Sequence, residues 1–225
     1  MPITIESTRF NCNCPSCVYN ERLARHMDRI DPYILSDKPL GSDTLRMLVV
    51  YTHAVFEDLL RSILKSRFMR DPTWFNDVGL LVSDKRGNGK FTLSDLAALP
   101  QEMTIGDVIE KSVKLYLDKV SFTDVGKIKT WIQRSDLDPS EVEKYASEIS
   151  AGLERRHRIV HTFDFDDGTG RPTPIDFQDA KKYYLASIKS LTHLIGQIGC
   201  DPEEQSAHKK VVEQAVPPKS DRAGG

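Results

Sequence analysis

The chain has 225 residues, of which 39% are hydrophobic and 28% charged, and its formal net charge is −2. These values fit one globular domain with extensions and supply enough apolar material for a core. They exclude a generally basic surface, so any nucleic-acid binding must come from a local patch, and no apolar run approaches the ~20 residues that span a bilayer.

Met1 to Asn11 reads as a loose arm without an export signal, which points to a cytoplasmic, reducing setting for Cys12, Cys14, Cys17 and Cys200. Cys12, Cys14 and Cys17, with His26 downstream, are four residues of zinc-binding type, although their spacing is irregular for a zinc finger. A structural zinc and a reduced, partly buried cysteine cluster both fit. A short helix is predicted over Tyr19 to Ile30, and Pro32, Pro39 and Gly41 end it. Residues 1–41 are therefore read as an N-terminal arm.

The first strong element follows. Ser42 or Asp43 is suited to cap it, and Leu45, Leu48, Val49, Thr52, Phe56, Leu59, Ile63 and Leu64 fall at helical spacing. This predicts a helix from Asp43 to Phe68, stopped by Asp71-Pro72. Asp71 to Met103 is an irregular insertion that accommodates a hairpin or two short helices. Within it, Asp84 to Asp95 echoes a calcium loop, but Arg86 stands where an oxygen ligand belongs.

Thr104 is placed to cap a helix through Val120, and a shorter helix is expected from Asp124 to Arg134. Asp138-Pro139-Ser140-Glu141 is a start signal, with proline at the first helical position and early acid. It opens one predicted helix to His161, whose apolar line is Val142, Tyr145, Ile149, Leu153 and Val160. Arg156 completes that line, and a guanidinium there needs a partner or an anionic ligand. A glycine- and proline-rich loop leads to Asp176 and a last helix that stops near Gly199. The polar segment 200–225 has too little apolar content to fold alone and is read as a flexible, disordered tail. The expected fold is thus all-α, an up-and-down helical bundle over 42–199.

Residues Glu154 to His161 hold three arginines and two histidines. Imidazole exchanges protons near neutral pH, and a guanidinium fork fits phosphate oxygens. Together, without a metal, they suit RNA cleavage by attack of the ribose 2′-OH on the neighbouring phosphorus. A plainer reading is that the cations complement the negative end of a helix and face solvent. Arg156 and His161 are five residues apart, so they point about 140° apart on an ideal helix. A paired site then needs a distorted helix end, a long reach by arginine, or a second chain. His157 and His161 also have the i, i+4 spacing of helical metal pairs, but no carboxylate stands at a fitting position between them.

Arg156-His157-Arg158-Ile159-Val160-His161 resembles the Arg-x4-His signature of HEPN domains. Thr52 to Leu60 resembles their first major helix, and Lys119 to Ile128 is similar to the segment ahead of the motif in the RiboL-PSP-type group. The resemblance covers Ser42 to Ile198. It implies a HEPN-like bundle acting as a metal-independent endoribonuclease in toxin–antitoxin systems or phage defence, with RNA and an antitoxin or defence protein as partners. It also implies a homodimer in which the motifs of two chains meet. By that likeness His161 is the general base or acid, Arg156 stabilises charge, His157 assists, and Arg155 and Arg158 hold the RNA backbone. Which of Arg155 and Arg156 is catalytic stays open, since both precede His161 at usable spacing. Glu57 is a candidate for orienting Arg156 or His161, or else an exposed helix carboxylate. Other HEPN domains are non-catalytic modules that bind a nucleotide or a protein, and that is the alternative function.

Overall fold

The computed structural model describes residues 14–36, 39–71, 100, 102–166 and 168–199. Cys12, Cys200, the calcium-like loop, nearly all of the irregular insertion and the segment 200–225 lie outside the described residues. The described chain is all-α, with seven helices and no strand: α1 (Pro15–Ile34), α2 (Ser42–Arg70), α3 (Ile105–Asp118), α4 (Val125–Arg134), α5 (Ser140–Lys144), α6 (Ala146–Thr162) and α7 (Phe177–Ile198). None of these helices is long and apolar enough to cross a membrane.

The core is the α2–α7 pair. On α2, Leu45, Leu48, Val49, Phe56, Leu59, Leu60, Ile63 and Leu64 recur at three- and four-residue intervals and are all buried. They meet Ile188, Leu191, Leu194 and Ile195 of α7 within one hydrophobic cluster. Each such side chain contributes about 1.5–3 kcal/mol on burial. α1 and α6 each pack against both central helices, and α3 packs on α2.

Caps and breaks refine the predicted boundaries. Thr104 and Asp107 form a reciprocal capping box on α3, at 3.1 Å and 2.7 Å. Asp124 caps α4 through the N–H of Lys127 at 2.8 Å. α2 is capped differently from expectation: Gly41 is the N-cap with no side-chain bond, and Asp43 instead pairs with Arg46 at 3.0 Å.

α1 is longer at both ends than predicted and runs through Pro32. Proline in a helix interior is unfavourable by about 3 kcal/mol. Here it sits in the last turn, between buried Ile30 and Ile34, whose burial offsets that penalty. The phenol of Tyr184 on α7 also donates to Asp31 at 2.6 Å, which ties this turn down. The single helix expected from Pro139 to His161 is two, α5 and α6, separated at Tyr145 (φ −107°, ψ 22°). The ring of Tyr145 is held there by the ammonium groups of Lys144 and Lys189, 5.0 and 5.1 Å from its centroid.

α6 and α7 approach closely because Gly152 has no side chain. A Cβ at that position would lie 2.1 Å from Cδ2 of Tyr183. The ring of Tyr183 therefore lies directly against the α6 backbone, one turn before Arg156.

Candidate functional site

α6 carries the basic cluster to its C-terminus at Thr162. The chain then turns through Phe163 and Asp164, both left-handed at φ 53° and 59°. That conformation is unfavourable by about 1–2 kcal/mol for a residue with a Cβ, although aspartate tolerates it best. A buried ion cluster holds the turn in place. Asp164 is fully buried, and its Oδ2 accepts from Arg155 Nη2 at 2.6 Å and from Arg46 Nε at 2.9 Å. The same two arginines converge on the carbonyl of Thr173, at 2.8 and 2.9 Å. The clamp thus joins α2, α6 and the loop entering α7. It leaves Asp164 Oδ1 and Arg155 Nε buried without hydrogen-bond partners among the described residues.

This arrangement separates the arginines that spacing left equivalent. The Nη2 of Arg155 is committed to Asp164 and Thr173. Arg156 is half-buried on the core-facing side, its Nε is buried without a partner, and its charge acts on the Tyr183 hydroxyl. His157 and His161 are exposed, and their ring centroids are 4.4 Å apart. No hydrogen bond or ion pair among the described residues joins either ring to Arg156. α6 remains helical through both positions, so within one chain the two groups diverge by about 140°. Val160, at 44% exposure, lies between them on the helix surface, and Phe163, at 78%, lies just beyond.

Glu57 orients neither Arg156 nor His161 directly. Its Oε2 lies 3.3 Å from His53 Nε2, and its Oε1 accepts from Arg61 at 2.7 Å. His53 is buried, and its Nδ1 is 3.4 Å from the phenol of Tyr183. A carboxylate only accepts, so a neutral His53 carries its proton on Nε2 and accepts from Tyr183 through Nδ1. Arg61 in turn donates to the carbonyls of Leu117 and Val120. The result is a line of polar groups, Arg61–Glu57–His53–Tyr183, ending beside Arg156. Burial pushes the Tyr183 phenol well above its ordinary value, so it stays a neutral donor.

The hydrogen bond from His53, aided by Arg61, holds the Glu57 carboxyl down to about 2 from 4.5. A depressed carboxyl stabilises the fold above its unfolded value and loses that contribution as pH falls through the folded one. Glu57→Gln should therefore lower stability near neutral pH by about 1–2 kcal/mol, the range for a hydrogen bond to a charged group reduced for partial exposure. It should also remove part of the stability loss between pH 4.5 and about 2, read from denaturation midpoints against pH. Parallel wild-type and variant curves through that window would contradict this.

The N-terminal cysteines are only partly within the described residues. Cys14 is buried and caps α1, its Sγ accepting the N–H of Cys17 at 3.4 Å. His26 is nine residues further along α1 than Cys17, about 13 Å of helix rise. Its Nδ1 lies 2.7 Å from the Tyr51 phenol. No group of three His, Cys, Asp or Glu converges as metal ligands among the described residues.

Asp138, Ser140 and His193 adjoin one another but do not form a nucleophilic relay. Ser140 donates to Asp138 at 2.6 Å, and both approach the same ring nitrogen of His193, at 3.4 and 3.3 Å. A relay needs the two partners on opposite ring nitrogens.

Sequence reasoning missed His53, Tyr183, Arg46 and Asp164. Two signals were available. His53, Glu57 and Arg61 repeat at i, i+4, i+8. Asp164 is an acid just beyond a helix C-terminus, an unfavourable place unless cations meet it.

The fold and site define an all-α bundle that displays two histidines and an under-partnered arginine at one helix end. Comparison with protein-family models, curated proteins and solved structures returns no match.

Proposed function

We propose that the protein is a metal-independent endoribonuclease of HEPN type that works as a homodimer, with the α6 ends of two chains meeting. His161 takes the proton from a ribose 2′-OH as the 2′ oxygen bonds to phosphorus. The bond to the 5′ oxygen breaks, that oxygen is protonated, and the products are a 2′,3′-cyclic phosphate and a 5′-hydroxyl. Arg156 stabilises the charge that builds on the phosphoryl oxygens. His157, with its ring 4.4 Å from that of His161, supports the proton transfer.

The observation that carries this reading is the state of Arg156. It interrupts an apolar stripe, and its guanidinium has no hydrogen bond or ion pair among the described residues, whereas the Nη2 of Arg155 beside it is tied to Asp164 and Thr173. An anion arriving at the half-buried Arg156 guanidinium would meet a cation that has no ion-pair partner among the described residues. The exposed Val160 and Phe163, between and beside the two groups, support a partner covering this helix end. The line from Arg61 to Tyr183 supports Arg156 from behind. A toxin or defence role, with an inhibitory or triggering partner, belongs to the same proposal.

The test is incubation of the full-length protein with total RNA in EDTA, followed by analysis of fragment ends. Fragments ending in 2′,3′-cyclic phosphate are expected. RNA left intact by the wild type, with no trigger or partner restoring cleavage, would overturn the assignment.

A further inference from the structure

Cys14-Pro15-Ser16-Cys17 puts two thiols into the first turn of α1. Cys14 is the N-cap, extended at φ −65° and ψ 150°, Pro15 takes the first helical position and Cys17 the third. Side chains at the N-cap and the third position of a helix face each other. Thr104 and Asp107 hold the same two places on α3, and their side chains meet at 2.7 Å. On α1 the Sγ of Cys14 accepts the N–H of Cys17 at 3.4 Å. The sulfur of Cys17 is three bonds from that nitrogen, so rotation about its Cα–Cβ bond brings the two sulfurs within bonding reach.

The turn is held in place from both sides. Ser16 Oγ donates to the carbonyl of Ile195 on α7 at 3.2 Å, and the Tyr19 phenol donates to the carbonyl of Ser62 on α2 at 2.9 Å. Pro15 fixes its own φ. The two cysteines are therefore kept close by the fold, which favours an intramolecular step over reaction with a second external thiol. Access to them differs: Cys14 is buried and Cys17 half-buried. Two sulfurs suffice for a disulfide, whereas a structural zinc takes four ligands, and no three convergent ligands occur among the described residues.

We infer that Cys14 and Cys17 form a redox-active dithiol that exchanges with small disulfides of the glutathione type. The accessible Cys17 thiolate attacks one sulfur of the small disulfide, whose S–S bond breaks and releases one thiol. The Cys14 thiolate then attacks Cys17 Sγ in the mixed disulfide and releases the second thiol. The protein loses two electrons and two protons as its disulfide forms, and the small disulfide gains them as two thiols. This chemistry belongs to the helix start and needs no sheet beside it. The pair lies far from the basic cluster. Ile195 is near the end of α7, while the Asp164 clamp meets Thr173 before α7 begins, so about 27 Å of helix rise separates them. The dithiol holds whether or not the chain cleaves RNA.

The test is equilibration of the full-length protein with mixtures of reduced and oxidised glutathione in EDTA, then acid quenching, denaturation, alkylation and mass spectrometry. Cys12→Ser with Cys200→Ser leaves Cys14 and Cys17 as the only thiols. Both should be lost to alkylation together as the oxidised fraction rises, with no glutathione retained. Cys14→Ser on that background should trap glutathione on Cys17, and Cys17→Ser should leave Cys14 open to alkylation. Wild-type protein should carry the same Cys14–Cys17 bridge. Two alkylated thiols at the most oxidising mixture would overturn the dithiol. So would a lasting glutathione adduct on Cys17 with Cys14 intact, or a wild-type bridge that joins Cys12 instead.

Discussion

His161→Ala should lower RNA cleavage about 10²–10⁴-fold, the usual loss when a general acid–base group is removed. His161 is exposed, so the same change should move stability by no more than about 0.5 kcal/mol. The pairing of a large kinetic effect with a small thermodynamic one distinguishes a chemical role from a capping role. Arg156→Lys sharpens the argument. It keeps the charge but loses the planar fork, and a site that grips two phosphoryl oxygens should lose most of its activity with it. If Arg156→Lys retains wild-type rates while Arg156→Ala merely unfolds the protein, the guanidinium serves the core and not the chemistry.

Asp164→Ala should give the largest loss of stability, about 3–5 kcal/mol, because removing one member of a buried ion cluster leaves uncompensated charge. Arg46 and Arg155, whose side chains are only 13% and 15% exposed, would then face each other across a void. The change also removes the residue that best tolerates the left-handed turn after α6. Asp164→Asn should lose less, since asparagine keeps an acceptor and the same backbone tolerance. Arg158→Ala, at an exposed side chain without an ion pair among the described residues, is the control and should stay within about 0.5 kcal/mol. Denaturant midpoints decide the matter, and an Asp164→Ala protein as stable as wild type would show that the clamp contributes nothing.

The long periodic stripes were legible in the sequence. α2 and α7 emerge from apolar spacing alone, Thr104 caps the helix it was expected to cap, and Asp124 and Asp176, expected as helix starts, are the N-caps of theirs, because caps are local chemistry. Pro32 misled, since a proline signals a stop only when burial beyond it is too weak to carry the helix on. The break at Tyr145 comes with a contact to Lys189, 44 residues away, which no local pattern shows. The partly buried polarity of Arg156 was also readable, as a cation interrupting an apolar line.

The role of Arg155 was not readable. Its partner Asp164 is near in sequence, but Arg46, which completes the clamp, is 118 residues from that aspartate. Glu57 was noticed for its position and given the wrong neighbours, because which face of α2 meets α6 and α7 is a tertiary fact. The histidine–tyrosine contact behind Arg156 spans 130 residues and lies beyond any spacing rule.

The central claim is that Arg156 of one subunit and His161 of another complete each site. Mixing inactive Arg156→Ala and His161→Ala proteins, after unfolding and refolding them together, tests it directly. Half of a random mixture is heterodimer and each heterodimer rebuilds one of two sites, so about a quarter of wild-type cleavage should return. A mixture as inactive as its two components, from a wild type that does cleave RNA, would contradict a site shared between chains.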